Sequence, residues 1–174
     1  MKGIAWAAAA GAAFLLSGCA HWTGGPTAVA QLQPTRGSTT QGVVQFQQRG
    51  DVVVVSGEVR GLKPNAEHGF HVHERGDCSS GDGMSAGGHY NPHGHPHGRH
   101  GHGMHHAGDL PNLKADAQGV ATFRFEVRTI SVGAGPADVV GRALIVHRDP
   151  DDYRSQPAGN AGPRLACAVI QLQR

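Results

Sequence analysis

Phe70-His71-Val72-His73-Glu74 sets two imidazoles two residues apart. In a strand, residues i and i+2 share a face, so His71 and His73 can present both rings to one ion while Val72 turns into the core. Taken alone, the pair fits a solvated strand surface equally well. Val146-His147 is similar, a strand-like run ending in an imidazole. The densest group lies between residues 89 and 106, where eight of the thirteen histidines fall. His106 and Asp109, three apart, offer a nitrogen and a carboxylate oxygen to one cation. Three histidines with one carboxylate make a closed tetrahedral set suited to zinc. Imidazole-only sets suit copper, whereas calcium and magnesium prefer oxygen. Composition does not choose the ligands within the run, and a low-complexity tract with loose metal affinity fits the same residues.

The elements that must carry these residues read as β throughout. Runs 43–46, 51–59, 68–73, 120–127, 142–147 and 165–172 are rich in Val, Phe and Ile and bounded by Gly, Pro and Asn. Alternation is clearest where Phe123, Phe125 and Val127 share one face and Thr122, Arg124 and Glu126 the other. Gln48-Arg49-Gly50-Asp51 reads as a hairpin turn. No polar stretch sustains a 3.6-residue period, so an all-β sandwich or barrel is expected. Long glycine-rich connections at 75–118 and 148–163 have the length of functional loops. The 174 residues suffice for one ordinary domain, and the 27 glycines favour turns between short strands over long helices. A formal charge of +2 carries no basic excess of the kind that binds nucleic acid.

Met1-Lys2 is followed by an uncharged, mostly apolar stretch from 3 to 16, too short to span a bilayer, which takes about 20 residues. It ends in Leu16-Ser17-Gly18-Cys19, which resembles a bacterial lipoprotein signal with Cys19 as the acylated first residue. A plain secretory peptide cleaved slightly later is the alternative. Residues 1–18 are then a leader excluded from the fold, 19–27 a tether, and 28–174 the domain. The mature chain would face an oxidising compartment, and Ala20 after the cysteine fits outer-membrane sorting, so a periplasm-facing envelope lipoprotein is expected. Lipid on Cys19 would be its only membrane attachment and leaves Cys78 and Cys167 as the remaining thiols.

Gly69-Phe70-His71-Val72-His73-Glu74, Gly87-Gly88-His89-Tyr90-Asn91-Pro92, Gly108-Asp109-Leu110-Pro111-Asn112, Gly141-Arg142-Ala143-Leu144-Ile145-Val146-His147 and Gly159-Asn160-Ala161-Gly162-Pro163-Arg164-Leu165-Ala166-Cys167 together resemble the copper/zinc superoxide dismutases, specifically their bacterial secreted branch. The resemblance implies a flattened eight-stranded Greek-key barrel with two long loops carrying the metal site. It implies copper on His71, His73, His89 and His147, and zinc on His89, His97, His106 and Asp109, with His89 bridging. Family spacing selects His97 from close competitors His95, His100 and His105. It also implies a Cys78–Cys167 disulfide and Arg164 as the active-site arginine. Asp151 would be the carboxylate that hydrogen-bonds His71 and His97, with Asp152 as an adjacent rival.

The implied reaction is dismutation of superoxide to dioxygen and hydrogen peroxide, with copper cycling between Cu(II) and Cu(I) and His89 delivering a proton to the product. Arg164 would orient the small anion. A non-catalytic copper/zinc-binding envelope lipoprotein on the same fold is the competing reading. Such relatives typically lose ligands or the arginine, and all remain in this sequence. The surplus histidines at 93, 95, 100, 102 and 105 read as a tolerant surface loop or as a metal-gathering arm. Oligomeric state is not encoded in any motif.

Overall fold

The computed structural model describes residues 24–173; the leader, Cys19 and the expected tether up to Thr23 lie outside the described residues. Ten antiparallel strands follow one another: β1 (Thr27–Pro34), β2 (Gln41–Arg49), β3 (Val52–Arg60), β4 (Glu67–His68), β5 (Phe70–His73), β6 (Leu113–Lys114), β7 (Ala121–Val127), β8 (Ala143–His147), β9 (Arg164–Val169) and β10 (Gln171–Leu172). The only helical element among the described residues is a single 3-10 turn at Met84–Ala86.

Eight strands form one curled sheet in the order β5-β8-β9-β1-β2-β3-β7, with β10 pairing the start of β1. After the meander β1-β2-β3 the chain crosses to β5 at the far edge. It returns as β7 beside β3, then crosses again to β8, which is Greek-key connectivity. The short β4–β6 pair lies between those two edges in the chain path, with β4 leading into β5 and β6 into β7. The expected all-β barrel is thus the observed architecture.

Alternation decides which side chains fill it. Val44, Phe46, Val53, Val55, Phe70, Val72, Leu144 and Val146 are fully buried in one core. Burial of each such side chain contributes about 1.5–3 kcal/mol. On β7, Ala121 and Val127 are buried, Phe123 and Phe125 half-buried, and Thr122, Arg124 and Glu126 exposed, as the alternation requires. Arg49 pairs with Val52 across a two-residue turn, Gly50-Asp51, where Gly50 takes φ +58. A side chain with a Cβ is disfavoured at that φ.

Several boundaries differ from those read in the sequence. The run 68–73 is two strands, interrupted at Gly69, and the run 165–172 is interrupted at Ile170. β1 was not among the expected strands. Its inward residues are Ala28, Ala30 and Leu32, and alanine carries little β preference. The first long connection spans 74–112, shorter than the expected 75–118 because β6 interrupts it. A third connection, 128–142, went unmarked, although Ile130, Val132 and Val139 in it are buried in the core.

Cys78 and Cys167 form a disulfide with a Cα–Cα distance of 5.9 Å, pinning the first long loop to β9. Ala166 and Ala168 face the main core, so Cys167 between them faces outward, where it packs with Ala86, Ala143 and Ile145. In the chain-entropy model a closure of this size contributes about 4–5 kcal/mol.

Candidate metal centre

β5 is an edge strand, and the loop 74–112 occupies its open side. Tyr90 N donates to the Val72 carbonyl (2.8 Å), Val72 N to Gly108 O (2.9 Å), and Gly108 N to Tyr90 O (2.9 Å). This backbone pairing sets His89 opposite His73 and Asp109 opposite His71. A Cβ on Gly108 would collide with the Val72 carbonyl, so the approach requires glycine there. On the other side β8 pairs with β5, and its terminal His147 lies across from Arg164 of β9. Because Phe70 and Val72 fill the core, His71 and His73 turn outward beneath the loops.

Two four-residue sets result. His71, His73, His89 and His147 each offer one nitrogen, and these atoms all lie within 4.8 Å of one another. His89, His97, His106 and Asp109 satisfy the same condition, and all seven residues are buried. His89 belongs to both sets. Its Nδ1 lies 2.8 Å from Asp109 Oδ1 and 3.4 Å from His106 Nδ1, which leaves Nε2 for the first set.

The outer nitrogens are anchored. His71 Nε2 donates to Asp151 Oδ2 (2.8 Å), His73 Nδ1 to the Gly87 carbonyl (2.9 Å), and His147 Nδ1 to the Gly162 carbonyl (3.1 Å). Such bonds fix the tautomer and aim the other nitrogen inward. His97 Nε2 meets the second oxygen of Asp151 at 2.9 Å. By contrast His71 Nδ1, His89 Nε2 and His97 Nδ1 are buried without a hydrogen-bond partner. Buried nitrogens are rarely left so in a finished fold. His97 Nδ1 lies 3.1 Å from Asp109 Oδ2 without hydrogen-bond alignment, as two ligands of one ion would lie. The donor chemistry fits: imidazoles alone for copper, and three imidazoles with a carboxylate for zinc.

Electrostatics favour metal over protons at His73, His89 and His147. Burial, then the neighbouring His147 and His89 rings, hold His73 well below the usual imidazole range. Burial and His71 do the same for His147. Burial lowers His89 to about 4, despite Asp109. Neutral imidazoles are the metal-binding form. In the second set burial would lower His97, but the adjacent carboxylates of Asp109 and Asp151 outweigh it and raise the ring to about 9. Burial pushes the Asp109 carboxyl up, yet His106, His89 and His97 together hold it well below the ordinary carboxylate range.

The structure brings His97 into the second set and leaves His95, His100 and His105 outside it. Asp151, not Asp152, reaches the two histidines; Asp152 is exposed and holds Ser155 and Asn160 of its own loop. Arg164 donates to Gly83 O (2.7 Å) and Gly87 O (2.6 Å) and shares a cavity of about 260 Å³ with His73, His89 and His147. Sequence reasoning missed the supporting groups. Gln156 clamps the His97 backbone in both directions at 2.9 Å, and buried His68 donates from Nδ1 to the His147 carbonyl at 2.9 Å. No spacing rule points to either.

Residues 40–170 match the family model described as copper/zinc superoxide dismutase (SODC). A protein of Paramecium bursaria Chlorella virus 1 named superoxide dismutase [Cu-Zn] is 43% identical over 136 residues, covering 75% of this chain and 72% of that relative. The crystal structure of the clock protein EA4 is similar with a TM-score of 0.77 and 38% identity, over 84% of this chain and 94% of that one.

Proposed function

Because this chain belongs to the copper/zinc superoxide dismutase family and converts superoxide to dioxygen and hydrogen peroxide, we propose that His71, His73, His89 and His147 hold its copper and that His89, His97, His106 and Asp109 hold its zinc. The observation that carries this assignment is His89, the one residue common to both sets. When bound, copper supplies the one-electron exchange between two superoxide ions, and zinc, which has no redox chemistry, supplies a fixed charge.

The chain's own residues do the rest. Arg164 presents a permanent positive charge to the cavity, and its bonds to the Gly83 and Gly87 carbonyls fix the direction of that charge. A small anion entering the cavity therefore docks in one place. The reaction takes up two protons per pair of superoxide ions. His89 Nε2, buried and without a protein partner, would hold one of them for the departing product only while it is not holding copper. Asp151, bonded to His71 and His97 at once, positions a residue of each set.

A test that does not depend on turnover is available. With Co(II) in place of zinc and Cu(II) in the other set, a shared His89 couples the two spins and suppresses the copper resonance. Two independent resonances would overturn the sharing.

The same proposal places the protein in the bacterial cell envelope, facing the periplasm, with a lipid on Cys19 as its tether to the outer membrane. Leu16-Ser17-Gly18-Cys19 supports it, as does a disulfide, which persists in oxidising compartments. Cys19→Ser should release the protein from the membrane fraction; unchanged fractionation would contradict the anchor.

A further inference from the structure

Five histidines of the 89–106 run lie outside both sets, and two of them are arranged differently from the rest. His93 and His95 flank Gly94, which takes φ +67. Asn91 closes this turn twice: its Oδ1 accepts from His95 N at 3.0 Å, and its Nδ2 donates to His95 O at 2.8 Å. The two rings lie 5.8 Å apart, tilted by 37°. That separation falls within the range set by ring pairs of the two native sets, from 3.9 Å for His71–His89 to 6.3 Å for His71–His73.

Each ring also keeps a nitrogen free of hydrogen bonds to the described residues. His95 Nδ1 donates to the His105 carbonyl at 3.3 Å, which places its proton there and leaves the Nε2 lone pair available. His93 forms no hydrogen bond with the described residues and is exposed. Both rings line a cavity of about 480 Å³, whose lining also includes Asp51, itself paired with Arg128. His100 and His105 are also close, at 5.4 Å, but His105 is spent: Nδ1 donates to His106 O and Nε2 accepts from Gly101 N. That pair has one free ring at most.

We propose that His93 and His95 form a third metal site, an open two-imidazole platform for a divalent transition metal, separate from the two sets joined at His89. Its preference is Cu(II), which binds imidazole most tightly among the divalent first-row metals. The open coordination positions fall to water, so the site exchanges its ion readily. It sits two residues before His97 in the chain.

The experiment is a Cu(II) titration of full-length protein already holding one copper and one zinc, followed by the copper resonance and by calorimetry. A second copper equivalent with nitrogen hyperfine structure is expected in the wild type and in His100→Gln/His102→Gln, and is lost in His93→Gln/His95→Gln. Asn91→Ala, which opens the turn without touching a ring, should weaken it roughly tenfold. Absence of a second copper equivalent, or its survival in His93→Gln/His95→Gln, would overturn the site. Neither outcome bears on the dismutase sets, which are filled throughout.

Discussion

Arg164 and His73 donate to the same oxygen atom, the carbonyl of Gly87, at 2.6 and 2.9 Å. One backbone group therefore orients both the cation that meets the substrate and a ring that faces the metal. Arg164→Ala should lower the rate constant for superoxide loss by about tenfold or more and flatten its salt dependence, because a fixed charge beside the site raises anion on-rates. His73 keeps the Gly87 carbonyl, so the copper spectrum should stay nearly unchanged. Loss of copper would instead make Arg164 a structural residue.

Asp151 joins the two sets through His71 and His97. Asp151→Asn keeps the shape but removes an acceptor oxygen and the charge. Zinc affinity, measured by chelator competition, should fall roughly 10–100-fold. Unchanged affinity would show that the bridge does not hold His97.

The loop that offers Gly83 and Gly87 to Arg164 starts at the disulfide. Cys78→Ser should therefore lower stability by about 2–5 kcal/mol. The melting temperature should fall by about 10 °C. An unchanged melting temperature would mean that the loop is held by its packing on β5 alone.

Much of the site was legible because strand periodicity is short. Two residues are enough to place His71 and His73 on one face, and Val72 in the core confirms the period. The ligands within the histidine run were not legible from composition. His95 and His97 differ only in what the folded loop sets beside them, Asn91 for one and Asp109 with Asp151 for the other. β1 escaped because its inward residues are mostly alanines, which carry little β preference. The glycine carbonyls that orient His73 and His147 leave no mark in a sequence at all.

The metal-free protein should be most stable near pH 6–7. His89, lowered to about 4 from the ordinary 6.5, resists protonation in the fold. The unfolded chain then binds more protons as pH drops from 6.5 towards 4, and stability falls. His73 and His147, also lowered, steepen that limb. His97, raised to about 9, acts oppositely: its contribution is complete below 6.5 and is lost as pH rises through 9. Each group adds a slope of up to about 1.4 kcal/mol per pH unit. Urea midpoints at pH 4.5, 6.5 and 9 check this, and a monotonic profile would contradict it.

The most direct measurement is superoxide decay in protein whose copper and zinc content has been established by elemental analysis at one of each per chain. The expected result is rapid second-order loss, with one dioxygen and one hydrogen peroxide formed for every two superoxide ions. Protein with both metals in place and no acceleration over the spontaneous reaction would contradict the account.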